Sequence, residues 1–350
     1  MAIIMHKQHV FDSRFLSLES WGNDIVDLLA SESPNFHSDS QFCDWEPIEG
    51  DASSRRYFRA NFDSYSYIFM DCPPPDNIST FIDVNDRMKI AGIRVPIIYA
   101  FDKAQGFILL EDLGSSMLKD IIDKNTGNEI FDQLLPILFK MINEVNTDGL
   151  PLYDENILNN EMNLFIDWFG KRFLDYQLTN KQDHEWEKFK LLIIQNAINQ
   201  PQSFTHRDFH SCNLLKLKDE TIGVIDFQDA MIGPISYDTV SWLWDRYITW
   251  PRDDIEKHLV KAGRCLAPNL EKEQWIKHCD LIAIQRNLKI IGIFFKLSFE
   301  DEKHHYVSLV PRFIDYTLFL LEKYMKELGN ASIWISSWLA EGIHKLESKL

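Results

Sequence analysis

The chain reads as an α+β protein of two lobes, a small antiparallel sheet followed by a larger and mostly helical part. Three observations carry this. Its 350 residues are long for one compact core. Short β-type runs separated by turn residues dominate positions 45 to 113, whereas from Asn128 onward apolar residues recur at helical spacing. The expected division therefore falls between an N-terminal lobe, 1–113, and a C-terminal lobe, 114–350.

Taken in order, Arg14 to Ala30 places Phe15, Leu18, Trp21, Ile25, Leu28 and Leu29 on one stripe and predicts an amphipathic helix. Ser31 to Ser40 is a polar loop. Trp45 to Ile48, Arg56 to Ala60 and Tyr67 to Met70 are predicted strands, joined by Gly50-Asp51-Ala52-Ser53-Ser54 and by Asn61 to Ser64. The first turn is built of small residues, so its backbone N–H groups can approach phosphates closely, and Ser53, Ser54, Arg55 and Arg56 become candidates for nucleotide binding. Pro73-Pro74-Pro75 breaks the chain before a helix from Ser79 to Gly92, with Phe81, Val84 and Met88 buried. Ile97 to Phe101 and Gly106 to Leu110 form a hairpin running into Glu111-Asp112-Leu113-Gly114. Helical stripes follow, one through Phe131, Leu134, Leu138 and Ile142, another from Glu161 to Leu178. A further helix is expected from Tyr237 through Trp250, and Asp253 to Leu350 is helical in pattern.

Composition narrows the partners. A net charge of −17 disfavours nucleic acid or an anionic membrane as the main ligand, since both prefer a basic face. The five cysteines are scattered and never spaced as C-x-x-C, which predicts reduced thiols and a cytoplasmic setting. Met1 to Val10 lacks the pattern of a signal peptide, and no apolar run is long enough to span a bilayer. No obligate protein partner is evident.

The chemistry concentrates in Phe204 to Asp229. Asp208 and Asn213 lie five residues apart in His206-Arg207-Asp208-Phe209-His210-Ser211-Cys212-Asn213, a spacing a tight loop can close so that both side chains reach one space. Asp226 ends the β-type run Thr221 to Ile225. An acid to orient a hydroxyl, with an amide oxygen and a second acid as hard ligands for Mg2+, is the set phosphoryl transfer from ATP requires. Cys212, in the same loop, is a small packing residue. Asp238 opens a helix and is read as a structural anchor, its carboxylate accepting orphan backbone N–H groups. Two competing readings exist. His206, Asp208 and His210 alternate as a zinc triad would, suggesting a metallohydrolase, but this leaves Asn213 and Asp226 without a role. A silent binding module is argued against by the presence of Asp208, Asn213 and Asp226 together.

At these residues the sequence resembles the aminoglycoside phosphotransferase and choline kinase group, which shares the protein-kinase fold. Gly50 to Arg59, Met70-Asp71-Cys72-Pro73-Pro74-Pro75, Leu110 to Gly114, Asp226 to Ala230 with Gly233-Pro234 and Tyr237-Asp238, and Gln285-Arg286-Asn287-Leu288-Lys289 are similar, in this order, to the bacterial cell-wall amino-sugar kinases. These act on N-acetylmuramate and N-acetylglucosamine at the anomeric hydroxyl. The resemblance implies Asp208 as the catalytic residue that orients and deprotonates the acceptor hydroxyl, Asn213 and Asp226 on Mg2+, and His206 bracing the loop. It implies that Glu111 to Leu113 join the lobes and meet adenine. Trp168, Arg172, His210, Gln228 and Arg286 would line the acceptor site, with Arg172 offered to a lactyl carboxylate. One departure stands out: Met70 occupies the place where most kinase-like enzymes carry a phosphate-binding lysine, so Arg55 or Arg56 is expected to supply that charge. Within the same fold, an aminoglycoside or other small alcohol is the alternative acceptor.

Overall fold

The computed structural model describes residues 12–32, 44–48, 54–61, 65–123 and 126–348. Ser53, with Gly50 to Ala52 of the expected phosphate-approaching turn, lies outside them. The chain divides into two compact units, the first of residues 1–116 and 215–228, the second of 117–214 and 229–350. The short hairpin around residue 220 thus groups with the N-terminal sheet, not with the helical part that surrounds it in sequence. Main-chain bonds explain this: Lys216 N–H reaches Ser116 O at 2.9 Å and Val224 N–H reaches Arg94 O at 2.8 Å.

The first unit is built on a five-stranded sheet with the order β1-β2-β3-β5-β4, where β1 is Asp44–Ile48, β2 Arg56–Asn61, β3 Ser66–Asp71, β4 Ile98–Asp102 and β5 Phe107–Glu111. All neighbours are antiparallel. Alternation gives the sheet two apolar faces. Phe58, Ala60, Tyr67, Phe69, Phe107 and Leu109 pack with Phe15, Leu18 and Val26 of the Ser13–Glu32 helix. Met70, opposite Tyr57 on one side and Ile108 on the other, is fully buried. The expected turn before β5 closes on Gly106 at φ +76°, where a Cβ would stand 2.3 Å from Cys72 O, so a side chain is excluded twice over. The Ile78–Ile90 helix places Phe81 against Phe227, ring centres 4.9 Å apart. β7 (Leu214–Lys216) and β8 (Ile222–Val224) form the short hairpin.

Polar residues of this unit are paired with care. Asp71 is fully buried and receives Arg14 Nε at 2.6 Å and Arg56 Nε at 2.9 Å, while Asp12 takes Arg56 Nη1 at 2.9 Å. Arg56 shares the helix-covered face with Phe58 and Ala60, and this is why it meets carboxylates there. Its charge is committed to the fold, unlike the phosphate-facing role expected as one of two options.

The second unit is organised by the long Lys272–Glu300 helix, buried along most of its length from Trp275 to Phe295. Around it pack Glu155–Leu164, Asn180–Ile198, Tyr237–Leu243, Arg252–Leu266 and Val310–Lys323. β6 (Gln202–Thr205) pairs antiparallel with β9 (Met231–Pro234). Two helices differ from expectation. The stripe from Glu161 to Leu178 is α-helical to Leu164, becomes a π-helix over Phe165–Leu174, and stops at Asp175 in the left-handed region. The Lys272–Glu300 helix crosses where the winding changes: at Gly292 a Cβ would come within 2.4 Å of Leu164 C and 2.7 Å of Phe165 N, so the backbones lie in close contact there. The helix expected through Trp250 ends at Leu243, because Asp245 turns its carboxylate onto Tyr247 N–H at 2.5 Å and Ile248 N–H at 3.1 Å. No helix among the described residues is long and apolar enough to cross a membrane.

Gly292→Ala tests the close crossing. Alanine gains about 1 kcal/mol of helix propensity, but the added methyl meets backbone that cannot rotate aside, and overpacking costs roughly 1–3 kcal/mol or more. The urea midpoint of Gly292→Ala should fall; a midpoint at or above that of the parent would contradict the packing described.

Candidate active site

The loop from His206 to Asn213 has few regular partners for its backbone, and buried carboxylates take their place. Asp238 Oδ2 accepts His206 N–H at 2.7 Å and Oδ1 accepts Arg207 N–H at 3.0 Å. Burial pushes Asp238 up to about 6, so the His206 ring and these two N–H groups are what favour its ionised form. Asp245, fully buried, accepts Ser211 N–H at 2.7 Å. Between the two anchors Asp208 N–H meets His206 Nδ1 at 3.3 Å, and His210 N–H meets Asp208 O at 3.0 Å. Asn213 Nδ2 donates to Asp208 O at 3.0 Å, which fixes the amide and turns its oxygen end away from that bond. His206, Asp208, His210 and Asn213 are thereby drawn into one tight loop.

Arg207 holds a left-handed backbone, φ +75°, rare for a residue with a side chain. Such a conformation costs about 1–3 kcal/mol and persists when its surroundings over-determine it. Here they do. Arg207 Nη2 bonds Glu161 Oε1 at 2.7 Å and its guanidinium lies 5.1 Å from the Tyr153 ring centre. Glu161 also takes Lys289 Nζ at 3.0 Å, Gln285 Nε2 at 3.0 Å and the Tyr153 hydroxyl. Burial alone would raise the Glu161 carboxyl, but Lys289 and Arg207 outweigh it and hold it below the usual range.

Asp208 is likewise raised by burial, and the net effect of His210, Lys289, Arg246 and Arg286 holds it well below the ordinary carboxylate range. His210 is itself kept neutral by burial and by Arg246, so at neutral pH the three cations carry the effect. His210 Nε2 lies 2.8 Å from Arg246 Nη2, an arginine that can only donate, so Nε2 accepts and the proton sits on Nδ1. Nδ1 is buried and finds no acceptor among the described residues. With His206 Nδ1 spent on the loop and His210 Nε2 on Arg246, the zinc alternative loses an imidazole nitrogen from each histidine. No group of three or more His, Cys, Asp or Glu is arranged to hold a metal among the described residues.

In the first unit, Asp226 follows β8 in the left-handed region, φ +63°, exposed, with Gln228 Nε2 donating to its Oδ1 at 2.9 Å. Gln228, a residue expected at the acceptor site, is thus a neighbour of the expected metal ligand. Ser54 bonds Asp76 and Arg55 reaches the Cys72 side chain, both just past β3. The Glu111 side chain is held by Arg94, with Nη1 2.7 Å from Oε2. Leu113 covers Gly223, where a Cβ would stand 2.8 Å from its Cδ1.

Of the remaining expected residues, Arg286 is buried beside the loop, bonding Ser241 Oγ at 2.9 Å and Trp244 O at 3.3 Å. Trp168 and Arg172 lie in the π-helix, where Arg172 is exposed with its guanidinium 5.7 Å from the Phe299 ring centre. Neither bonds to residues 204–214. No local pattern in the sequence marks Glu161, Asp245 or Arg246 as site residues, and Lys289 stands out only as part of the polar cluster Gln285 to Lys289. The one available signal was an acid and a base, Asp245-Arg246, interrupting the apolar run Val240 to Trp244.

The sequence model of the phosphotransferase enzyme family matches residues 44–275. An N-acetylmuramate/N-acetylglucosamine kinase of Pseudomonas aeruginosa is 35% identical over 315 residues, covering 87% of this chain and 91% of that one. The enzyme of the same name from Neisseria meningitidis serogroup B is 34% identical over 277 residues, 76% and 82% of the two chains. Among solved structures, the choline kinase LicA of Streptococcus pneumoniae aligns with a TM-score of 0.60 at 13% identity, covering 85% of this chain and 99% of that one. The ADP-bound aminoglycoside phosphotransferase APH(2'')-Ib aligns at 0.55 and 14%, covering 84% and 98%. These structures share the fold, and the sequence relatives share more. The chain belongs to the phosphotransferase enzyme family, and its sheet-bearing and helical units have the kinase-like architecture of that family.

Proposed function

We propose that this chain is an ATP-dependent kinase that phosphorylates an amino sugar, N-acetylmuramate and/or N-acetylglucosamine, at the anomeric hydroxyl. The observation that carries the reading is the braced loop: Asp208, held ionised by cations that are bonded to other residues, lies between two backbone segments fixed by Asp238 and Asp245. The named sequence relatives supply the substrate class. Asp208 orients the anomeric hydroxyl and takes its proton as the oxygen attacks the γ-phosphorus and ADP departs. An anomeric hydroxyl is more acidic than an ordinary alcohol and asks less of a carboxylate with a depressed pKa. His210 Nδ1–H, a buried donor lacking an acceptor among the described residues, is suited to a sugar oxygen.

Asn213 and Asp226 offer an amide oxygen and a carboxylate, the hard donors that Mg2+ selects, and the Asn213 amide is already fixed by Asp208 O. Bound there, Mg2+ would neutralise charge on the phosphate oxygens. Adenine is assigned to the backbone from Glu111 to Leu113. Since Met70 is buried and Arg56 is spent on Asp71 and Asp12, Arg55 is the residue assigned to the phosphates. The product, a sugar 1-phosphate, fits an enzyme of cell-wall recycling, and a cytoplasmic setting suits Cys72, Cys212, Cys265 and Cys279, which are free thiols.

Incubation with ATP, Mg2+ and either amino sugar, followed by phosphorus NMR, should yield a sugar 1-phosphate. Asp208→Ala should lower kcat by at least about a thousandfold. If neither sugar is phosphorylated while aminoglycosides or other small alcohols are, the acceptor assignment is wrong. Arg55→Ala should raise KM for ATP roughly tenfold with a smaller effect on kcat, and an unchanged KM would remove Arg55 from the phosphate site.

A further inference from the structure

Among the acids around the loop, Asp208 differs in one respect. Asp238 and Asp245 have their oxygens filled by backbone N–H groups, and Glu161 has both oxygens filled by Arg207, Lys289, Gln285 and Tyr153. The Asp208 carboxylate makes no hydrogen bond or ion pair among the described residues, although Lys289, Arg246 and Arg286 all act on it electrostatically. Each of these cations is bonded elsewhere: Lys289 to Glu161, Arg246 to His210, Arg286 to Ser241 and Trp244. Arg207, next to Asp208 in the chain, is likewise on Glu161. Glu161 therefore pairs with two of the cations around the catalytic carboxylate, Arg207 and Lys289, and does so from a buried position, 9% exposed.

We propose that Glu161 is a positioning residue that tethers Lys289 and Arg207, keeping both off Asp208 so that the catalytic carboxylate stays open to the acceptor hydroxyl. A carboxylate in direct contact with an ammonium has its lone pairs occupied and its basicity reduced. Lys289 is a flexible, compact cation that turns to whichever anion is nearest. Once Glu161 loses its charge, Asp208 is the anion without a partner. The inference rests on Asp208 as the base, and the test separates the two.

The experiment compares kcat and KM of Glu161→Gln, Lys289→Met, the double variant and Asp208→Ala. Glu161→Gln should lower kcat by about tenfold to a hundredfold with KM for ATP within roughly twofold. Lys289→Met removes the cation that would swing onto Asp208, so kcat of the double variant should exceed that of Glu161→Gln and recover to the level of Lys289→Met alone. A role confined to stability predicts no such restoration, and that result overturns the proposal, as does an unchanged kcat in Glu161→Gln while Asp208→Ala is inactive. An active Asp208→Ala would instead remove Asp208 as the base. Should Glu161→Gln fail to fold, Glu161→Asp keeps the charge on a shorter stem: retention of kcat within about threefold supports the tether, and a folded Glu161→Asp whose kcat falls by about a hundredfold or more opposes it.

Discussion

The site depends on buried carboxylates standing in for a neighbouring strand. Between the end of β6 and the start of β7 the backbone must turn sharply, and most of its N–H groups have no ladder partner. An unpaired buried N–H is costly, so the turn exists only where acceptors are supplied. Asp238 and Asp245 supply them from either end of the short helix Tyr237–Leu243. That helix is in turn packed on Lys272–Glu300, so the loop geometry is referred to a long helix that is buried along most of its length.

The electrostatics follow from the same arrangement. A carboxylate in the role proposed for Asp208 must stay ionised and yet remain uncovered. Nearby cations meet the first need and threaten the second. The second unit resolves the conflict by bonding every cation that acts on Asp208 to something else, with Glu161 taking two of the positive charges around the loop. The left-handed backbone of Arg207 belongs to this solution, because it is stabilised by both the Asp238 anchor and the Glu161 pair.

Much of this was legible in the sequence, and the boundary of what was legible has physical causes. Short β runs and helical stripes are local signals, so the antiparallel sheet and the helical part could be read directly. That Asp208 and Asn213 share one tight loop was readable from their spacing of five, and Asp238 as an anchor because an acid at a helix start has a known task. Glu161 and Asp245 were not readable, since their partners Arg207 and Ser211 lie 46 and 34 residues away and nothing local announces the contact. The π-helix was hidden for a similar reason: the helix that crosses its start, at Gly292, lies more than a hundred residues further along the chain. Arg56 looked suited to phosphate until the face shared with Phe58 and Ala60 turned it toward Asp71.

The most direct measurement is a crystal structure of the protein with N-acetylmuramate, Mg2+ and a non-hydrolysable ATP analogue. The account predicts the anomeric oxygen within about 3 Å of the Asp208 carboxylate, the metal on the oxygens of Asn213 and Asp226, and Lys289 still on Glu161. A sugar whose anomeric oxygen faces away from Asp208, or a metal held by His206 and His210, would contradict it.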